Sequence, residues 1–199
     1  MRRIALVPLL LVAVLLAGCF PVSPLGPRVL FSDDFEAGFA DEWVIAGGWY
    51  FTDGVLRPTD TAIGSDDWAY VGSGANWIDY TVEVDIHPQA GWVAVVVRCS
   101  QDLRSYVLIG GSATSLQWKV VQDRTTVLSG GGIQPGFSSE FQRVRVEVVG
   151  TSYRFFIDGL QRIEFESDVL TQGLPSLAAS TVLWGTAPQI DNYRVTEPE

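Results

Sequence analysis

The chain has 199 residues, of which 23 are Asp or Glu and 13 are Lys or Arg, and its formal net charge at pH 7 is −10. A protein that holds the phosphate backbone of a nucleic acid needs clustered Lys and Arg, so this balance argues against nucleic acid as a partner. A single histidine, His87, gives little support to a Ser-His-Asp or Cys-His catalytic arrangement. Solubility outside the cell is the simplest interpretation of the acidic charge.

The amino terminus has the order of segments that is typical of an export signal. A positive start with Arg2 and Arg3 precedes an apolar run over residues 4–16, which is too short for a comfortable membrane span. The run ends in Leu-Ala-Gly-Cys, and small residues before a cysteine, here Cys19, resemble the bacterial lipobox. The resemblance implies a signal peptide over residues 1–18, cleavage before Cys19, and acylation of that cysteine, for example with palmitate. An ordinary secretory signal and an uncleaved anchor are the alternatives.

A lipidated Cys19 would hold the protein on a membrane, because each buried CH₂ group contributes about 0.8 kcal/mol. We therefore expect a lipoprotein of the cell envelope with a short proline-containing tether over residues 19–27 and one extracytoplasmic domain over residues 28–199. Phe20 and not Asp follows the cysteine, which favours the outer membrane in a cell with two membranes. Lipidation leaves Cys99 without a partner, which excludes a disulfide scaffold and a cysteine-based zinc site.

The domain is a succession of short apolar segments separated by turn residues. Strict alternation of apolar and polar residues, as over residues 80–86 and 141–149, predicts strands with one buried face. Asp-Gly stands between two apolar runs at residues 53–54 and 158–159, which is a strong hairpin signal. No segment has the period of a long amphipathic helix. Roughly a dozen strands of this kind predict an all-β fold of two antiparallel sheets packed face to face.

Residues 78–109 are the expected centre of this fold. Residues 80–86 alternate, whereas residues 92–97 are apolar on both faces, which predicts a strand that is covered on both sides. A third strand is expected over residues 105–109. Because the links between the three are short, we predict that they are neighbours in one antiparallel meander. Cys99, at the end of the second strand, is expected to be a small core residue.

Several motifs occur in an order that resembles the concanavalin A-like lectin and glucanase jelly rolls. They lie at Leu30-Phe31-Ser32-Asp33-Asp34-Phe35-Glu36, Gly48-Trp49, Asp53-Gly54-Val55-Leu56, residues 79–85, 143–148, 156–159 and 190–195. The resemblance extends from about Val29 to Thr196 and implies a laminin-G-like jelly roll whose concave sheet often binds sugars. Lectin modules, glucanases and hydrolases of 3-keto-disaccharides share this fold, so the fold does not choose an activity.

Catalysis has weak support in the residues. The resemblance implies a Glu-x-Asp-x-x-Glu strand in the glucanases, and Glu83-x-Asp85 begins in that way, but Pro88 occupies the third acidic position. Glycoside hydrolysis normally needs two carboxyl groups with separate roles, so the missing one matters. We therefore expect no catalytic residues, and a solvated strand face is the simpler interpretation of Glu83 and Asp85.

The resemblance also implies a structural calcium ion that ties the first strand to the last. Asp34 matches the early acidic position and Asp191 the late one, and carboxylate and carbonyl oxygens suit Ca²⁺. The alternative is that Asp33 and Asp34 solvate a strand edge and that Asp191 lies in a turn.

Sugar binding would depend on aromatic rings and on polar side chains of the central strands. Most tryptophans of a sandwich fill its core, but Trp68, Trp77 and Trp92 border loops or strand ends. A ring together with Arg, Gln and Lys donors is the mixture that a hydroxylated ligand needs. The predicted ligand contacts are Trp92, Arg98, Tyr106, Gln117 and Lys119. An ordinary polar sheet face is the alternative.

These observations predict a surface lipoprotein whose jelly-roll domain binds carbohydrate or a cell-surface glycan without turnover. A sugar-acting hydrolase is the first alternative, and it would require Glu83, Asp85 and Asp102 to converge with Arg98 in one pocket. A protein-interaction or structural module of the envelope is the second alternative, and it would have an exposed apolar patch or a concave face that is filled by side chains.

Overall fold

The computed structural model describes residues 26–46, 48–59, 67–89, 91–132, 136–180 and 187–199, which form fifteen strands. The strands make two antiparallel sheets, so the predicted all-β sandwich is confirmed. In the described part of the chain the one helical element is a three-residue 3₁₀ turn at Gly72–Gly74, and no helix there is long and apolar enough to cross a membrane. The predicted signal peptide, Cys19 and most of the tether lie outside the described residues.

Sheet A has eight strands. In spatial order they are β13 (Leu160–Glu166), β12 (Ser152–Ile157), β11 (Gln142–Val149), β6 (Tyr80–His87), β15 (Gln189–Thr196), β4 (Val55–Pro58) and β3 (Trp49–Thr52), with β1 (Val29–Asp33) paired to β15. The first and last strands of the chain are therefore neighbours, with Asp33 opposite Tyr193.

Sheet B has seven strands. In spatial order they are β10 (Thr125–Gly132), β9 (Leu116–Gln122), β8 (Tyr106–Gly111), β7 (Trp92–Cys99), β14 (Leu174–Ser180), β5 (Asp67–Val71) and β2 (Trp43–Ala46). All described strands of both sheets lie between Val29 and Thr196.

The core lies between the two sheets, where alternating residues of each strand meet. In β6 the residues Tyr80, Val82, Val84 and Ile86 are fully buried, as the two-residue period predicts. The Asp-Gly hairpins are also present: Asp53 and Gly54 have φ values of 54° and 73° and join β3 to β4. Two consecutive positive φ values define the turn that suits the twist of paired strands, and Gly reaches them without strain.

The predicted meander is wrong at its first step. Strand β6 pairs with β11 and β15 in sheet A, whereas β7 pairs with β8 and β14 in sheet B. The chain thus crosses from one sheet to the other at the turn in which Gly91 N donates to the Pro88 carbonyl oxygen. A short link allows neighbouring strands but does not require them, because two packed sheets also bring consecutive strands close together.

Strand β7 is buried on both faces, as predicted. Val93, Val95 and Val97 face the core between the sheets, while Ala94 and Val96 belong to a second apolar cluster on the outer face of sheet B. Cys99 lies in that second cluster, is 1% exposed, and its pKa is raised to about 12 by burial and by the nearby Asp102. Its prediction as a small core residue is confirmed, and the raised pKa makes the thiol unreactive.

Candidate functional site

The register of sheet B aligns side chains of successive strands in two rows across its outer face. Successive strand neighbours in this row are Trp68, Ala178, Ala94, Gly110, Gln117 and Gly131. An adjacent row, two residues away on each strand, contains Tyr70, Ser176, Val96, Leu108, Lys119 and Ser129. We call these two rows, together with Trp92 and Tyr106 on either side of them, the outer-face strip. It has aromatic residues at one end and polar residues at the other.

Four of the five predicted ligand contacts lie on this same face. Trp92 is two residues before Ala94 on β7, and Tyr106 is two residues before Leu108 on β8, so both project from the side that carries the strip. Gln117 is exposed and Lys119 is half-buried. The sequence therefore identified residues that share a face, because the two-residue period of a regular strand is a local property.

Two aromatic rings in contact with each other lie over part of the outer-face strip. The rings of Trp68 and Tyr106 meet edge to face with their centroids 4.9 Å apart, although three strand steps separate β5 from β8. Beneath and around them lie the buried side chains of Ala94, Val96, Leu108 and Ala178. Trp68, Tyr70, Trp92 and Tyr106 are each half-buried, so the rings retain exposed surface beside this contact.

The polar end of the strip opens into a groove of about 500 Å³ along β9 and β10. Its lining includes Gln117, Lys119, Ser129 and Gly131, which offer amide, ammonium and hydroxyl groups together with bare backbone. Glycine in the strand leaves the groove without side chains that would fill it. Tyr70 and Trp68 were not among the predicted contacts, but their alternation with Ala69 and Val71 could have placed them on this face.

Arg98 does not belong to this face, so its prediction as an exposed contact is wrong. Its φ is +50°, which breaks the alternation of β7, and opposite it the register of β14 shifts between Leu174 and Ser176. The side chain turns into the end of the sandwich, where Arg98 is 2% exposed. A bulge of this kind adds one residue to a strand and changes the direction of a side chain. No local feature of the sequence predicts this bulge.

The buried guanidinium of Arg98 ties together four segments of the chain. Nη1 donates to the Tyr153 hydroxyl at 2.8 Å and to the Leu170 carbonyl oxygen at 2.7 Å. Nη2 donates to the carbonyl oxygens of Ile78 at 3.1 Å and Gly150 at 2.6 Å. A buried charge is stable only where its donors are satisfied, and these acceptors satisfy them. The role of Arg98 is therefore structural.

The carboxylates that a hydrolase would need do not converge with Arg98. Glu83 and Asp85 lie on the outer face of sheet A, where Arg143 makes an ion pair with Asp85. Asp102 lies in the loop before β8 and accepts hydrogen bonds from the Ser100 hydroxyl at 2.6 Å and from Arg104 N at 3.1 Å, which lower its pKa. The pocket that the hydrolase alternative required is not formed by these residues.

A larger groove, of about 630 Å³, lies on the outer face of sheet A. Three of its charged side chains pair with one another: Glu147 lies 3.1 Å from Arg145 Nη1 and 2.7 Å from Arg154 Nη2. Arg145 also lies over the ring of Phe156 at 4.2 Å from the centroid. Arg145 and Glu147 pair along β11, and Arg154 of β12 pairs with Glu147 across the two strands, so these three charges are accounted for without a ligand.

Asp34 and Asp191, the predicted calcium ligands, lie close to where β1 ends and its neighbour β15 begins: Asp34 directly follows β1, and Asp191 is the third residue of β15. Asp191 has a raised pKa because of partial burial and because Asp85, Glu36 and Asp34 repel its charge. The Asp33 carboxylate, in contrast, is used by the loop, since it accepts from Phe35 N, Ala40 N and Trp43 Nε1. Within the described ranges no group of three or more His, Cys, Asp or Glu is arranged to hold a metal ion.

No protein-family model matches the sequence, and no curated protein matches it. Solved structures do match. The carbohydrate-binding module CBM66 from Bacillus subtilis superposes with a TM-score of 0.65 at 16% identity, over 78% of this chain and 96% of that one. A laminarinase from Rhodothermus marinus superposes with a TM-score of 0.63 at 13% identity, over 86% of this chain and 97% of that one. These superpositions agree with the two-sheet antiparallel β-sandwich described above, which is a jelly-roll architecture.

A further match is a protein of unknown function with a galectin-like fold from Bacillus subtilis, with a TM-score of 0.67 at 13% identity over 85% of this chain and 96% of that one. At such low identity the likeness extends to the fold alone. The jelly-roll resemblance in the motifs of the sequence is thus confirmed at the level of architecture.

Proposed function

We propose that this protein binds carbohydrate on the outer-face strip of sheet B and does not hydrolyse it. The observation on which the proposal rests is the placement of Trp92, Tyr106, Gln117 and Lys119 on one face, where Gln117 and Lys119 line an open groove. The similarity of the fold to a carbohydrate-binding module and to glucanases supports the same class of ligand.

The strip offers the two kinds of contact that a sugar needs. A sugar ring presents apolar C–H faces, which an aromatic ring such as Trp92 or Tyr106 can cover, and hydroxyl groups, which need hydrogen-bonding partners. The Gln117 amide can donate and accept, and the Lys119 ammonium can donate three hydrogen bonds. The small residues Ala94 and Gly110 between them leave room for the ligand to lie against the sheet.

The composition of the strip supports binding without turnover. The two rows contain aromatic, aliphatic, hydroxyl, amide and ammonium side chains, but no Asp or Glu. Hydrolysis of a glycosidic bond normally uses two carboxyl groups on either side of that bond. Without them the strip can hold and orient a glycan but has no group to protonate the leaving oxygen.

A module without a small ligand is the second candidate, and one observation favours it. The contact between Trp68 and Tyr106 already covers part of the floor that a ligand would use. If these rings do not separate, the strip would present an aromatic surface to another protein of the envelope. The two candidates differ in whether a soluble sugar competes for the face.

The proposed setting is the outer surface of a membrane, with the domain tethered through acylated Cys19. The signal-like segment and the cysteine after Leu-Ala-Gly are its support. Mass spectrometry of the amino-terminal peptide from the native host should find a diacylglyceryl group and an acyl chain on Cys19. The Cys19→Ser variant should appear in the soluble fraction, and an unmodified, membrane-free wild type would contradict the proposal.

Calcium is a further proposal for the junction of β1 and β15. The repulsion between Asp191 and the carboxylates of Asp34, Glu36 and Asp85 supports it, since a divalent cation would relieve that repulsion. Asp34 and Asp191 would supply oxygen ligands, and the ion would stabilise the contact between the two ends of the chain.

A glycan array tests the binding proposal. The protein beginning at Phe20 should bind a defined set of glycans saturably, and Gln117→Ala should weaken that binding. Gln161→Ala is the matched control, because Gln161 is, like Gln117, an exposed glutamine, but it lies on the outer face of sheet A, away from the strip. Release of reducing sugar from a polysaccharide would replace the proposal with the hydrolase alternative, and no glycan binding in any arm would contradict it.

A further inference from the structure

Each sheet ends on one side in a long strand, and the two end strands differ in charge. Strand β13 at the end of sheet A contains Arg162, Glu164 and Glu166. Strand β10 at the end of sheet B has the sequence Thr-Thr-Val-Leu-Ser-Gly-Gly-Gly, with no charged residue and no proline. Seven of its eight residues are exposed, and its two apolar side chains, Val127 and Leu128, are 43% and 40% exposed.

Among the described residues no strand pairs with the outer side of β10, and an edge strand of this composition is open to pairing. The outer side of an end strand presents unpaired N–H and C=O groups, and proteins usually protect such an edge with charges, prolines or a short length. In β10 one protecting feature is present, a bulge between Thr126 and Leu128. From Leu128 to Gly132 the pairing with β9 is regular, so these five residues form the part of the edge that a further strand could join.

The net charge of the chain limits which surfaces of two copies can come into contact. The protein has a net charge of −10, so most contacts between two copies would bring like charges together. The neutral β10 edge avoids this repulsion. An antiparallel pairing centred on Gly130 sets Leu128 of one copy opposite Gly132 of the other, and a two-fold axis makes both halves identical.

We propose that β10 pairs antiparallel with β10 of a second copy, so that the two seven-stranded B sheets become one continuous sheet. The two-fold axis of such a pair is perpendicular to the sheet, and both outer faces therefore lie on the same side. The groove beside Gln117 and Lys119 runs along β9 and β10, so the partner's strand would form its missing outer wall. The importance of this wall for the groove rests on the proposed function, whereas the pairing itself does not.

The size of the contact predicts a reversible dimer. Stable protein interfaces bury about 1,600 Å² in total, and five paired residues on each side bury only a part of that area. The equilibrium should therefore depend on protein concentration. Two copies on one membrane would pair more readily than two copies in solution, because tethering raises their effective concentration.

Sedimentation velocity over a range of concentrations tests the pairing with the protein beginning at Phe20. The wild type should shift from monomer to dimer as its concentration rises. Leu128→Lys should remain monomeric, because a lysine on an edge strand would have to lose its hydration for the strand to pair, which is how natural sheet edges are protected. Leu160→Lys is the matched control, since Leu160 is 61% exposed at the start of β13, and this variant should dimerise like the wild type. Circular dichroism checks that both variants keep their β content.

Hydrogen exchange adds a local readout. Amides of Leu128–Gly132 should become more protected as the concentration of the wild type rises, and those of β13 should not. A wild type that stays monomeric at all soluble concentrations would overturn the proposal and leave the edge to a strand of another protein. A dimer that Leu128→Lys does not weaken would place the contact elsewhere and overturn it as well.

The same variants separate this inference from the glycan proposal. Leu128→Lys should bind a single soluble oligosaccharide as a monomer does, but should lose the several-fold or greater gain in apparent affinity that a dimer shows on a surface of immobilised glycan. Gln117→Ala should dimerise normally and lose the sugar. Failure of sugar binding with intact dimerisation would thus count against the proposed function alone.

Discussion

The guanidinium Nη1 of Arg98 donates a hydrogen bond of 2.8 Å to the hydroxyl of Tyr153, which is 55 residues further along the chain. Arg98 also lies over the Tyr153 ring, with its Cζ atom 5.1 Å from the centroid. Tyr153 stacks on Phe165 at 4.9 Å, and Phe165 stacks on Trp118 at 3.8 Å. A continuous column thus joins β7 and β9 of sheet B to β12 and β13 of sheet A at one end of the sandwich.

Removal of the arginine should strongly destabilise the fold. Arg98→Ala would remove a buried side chain, leave its space empty, and take a donor away from the Tyr153 hydroxyl and from the carbonyl oxygens of Ile78 and Gly150. Large-to-small substitutions at buried positions cost about 2–5 kcal/mol. We expect a loss of at least about 3 kcal/mol in the free energy of unfolding, measured with urea. Arg28→Ala, whose partner Glu197 is on the exposed surface, should cost less than about 1 kcal/mol. Equal losses for both variants would contradict the structural role of Arg98.

The aromatic column should also be sensitive to a change of shape. Phe165 is 8% exposed and lies between two parallel rings, Trp118 at an interplanar angle of 3° and Tyr153 at 2°. Phe165→Leu keeps an apolar side chain but loses both stacking contacts, each of which contributes about 0.5–1.5 kcal/mol beyond burial. We expect a loss of about 2 kcal/mol in urea unfolding and a change in near-ultraviolet circular dichroism from Trp118. An unchanged near-ultraviolet spectrum would count against the stack.

The charge of Asp191 should oppose folding when no cation is present. Its folded-state pKa is raised, first by partial burial and then by repulsion from Asp85, Glu36 and Asp34, so the folded protein binds its proton more tightly than the unfolded chain does. This penalty is present above the folded pKa and disappears as the pH falls below the unfolded value of about 3.9. Asp191→Asn should therefore raise the melting temperature at pH 7 in chelator, with a smaller gain near pH 4.

Calcium should make the wild type melt at a higher temperature than Asp191→Asn, which is the opposite of the order expected in chelator. If the ion binds beside Asp34 and Asp191, its addition should raise the melting temperature of the wild type and leave Asp191→Asn unchanged, since a ligand of the native state stabilises it by mass action. Wild type and variant that respond equally to calcium and to chelator would contradict the calcium proposal, without affecting the pH prediction.

Two of the glycan contacts should each contribute measurably to binding. Trp92→Ala removes a ring that can cover a sugar face, and Lys119→Ala removes a charged donor; we expect each to weaken binding about tenfold, equivalent to about 1.4 kcal/mol. Isothermal titration with a glycan selected on the array measures both effects. Arg98→Lys, if it folds, should keep the wild-type affinity, because Arg98 faces away from the strip. Normal affinity in both Trp92→Ala and Lys119→Ala would move the ligand to another face.

Local patterns were sufficient for the elements and for most of the candidate face. The alternation in β6 fixed which residues enter the core, and the Asp-Gly pairs at residues 53–54 and 158–159 fixed two hairpins. The same two-residue period placed Gln117 with Lys119 on one side of β9. These features depend only on the geometry of a strand and of a tight turn, which a few neighbouring residues determine.

Tertiary structure decided which strands became neighbours and where the chain departed from regularity. It placed β6 and β7 in different sheets, brought the Trp68 ring onto Tyr106, and set Asp34 near Asp191. It also turned Arg98 inward through one residue with a positive φ. Each of these depends on the register between segments that are distant in the sequence. Because a shift by a single residue reverses the face of every side chain that follows, no local pattern could have specified them.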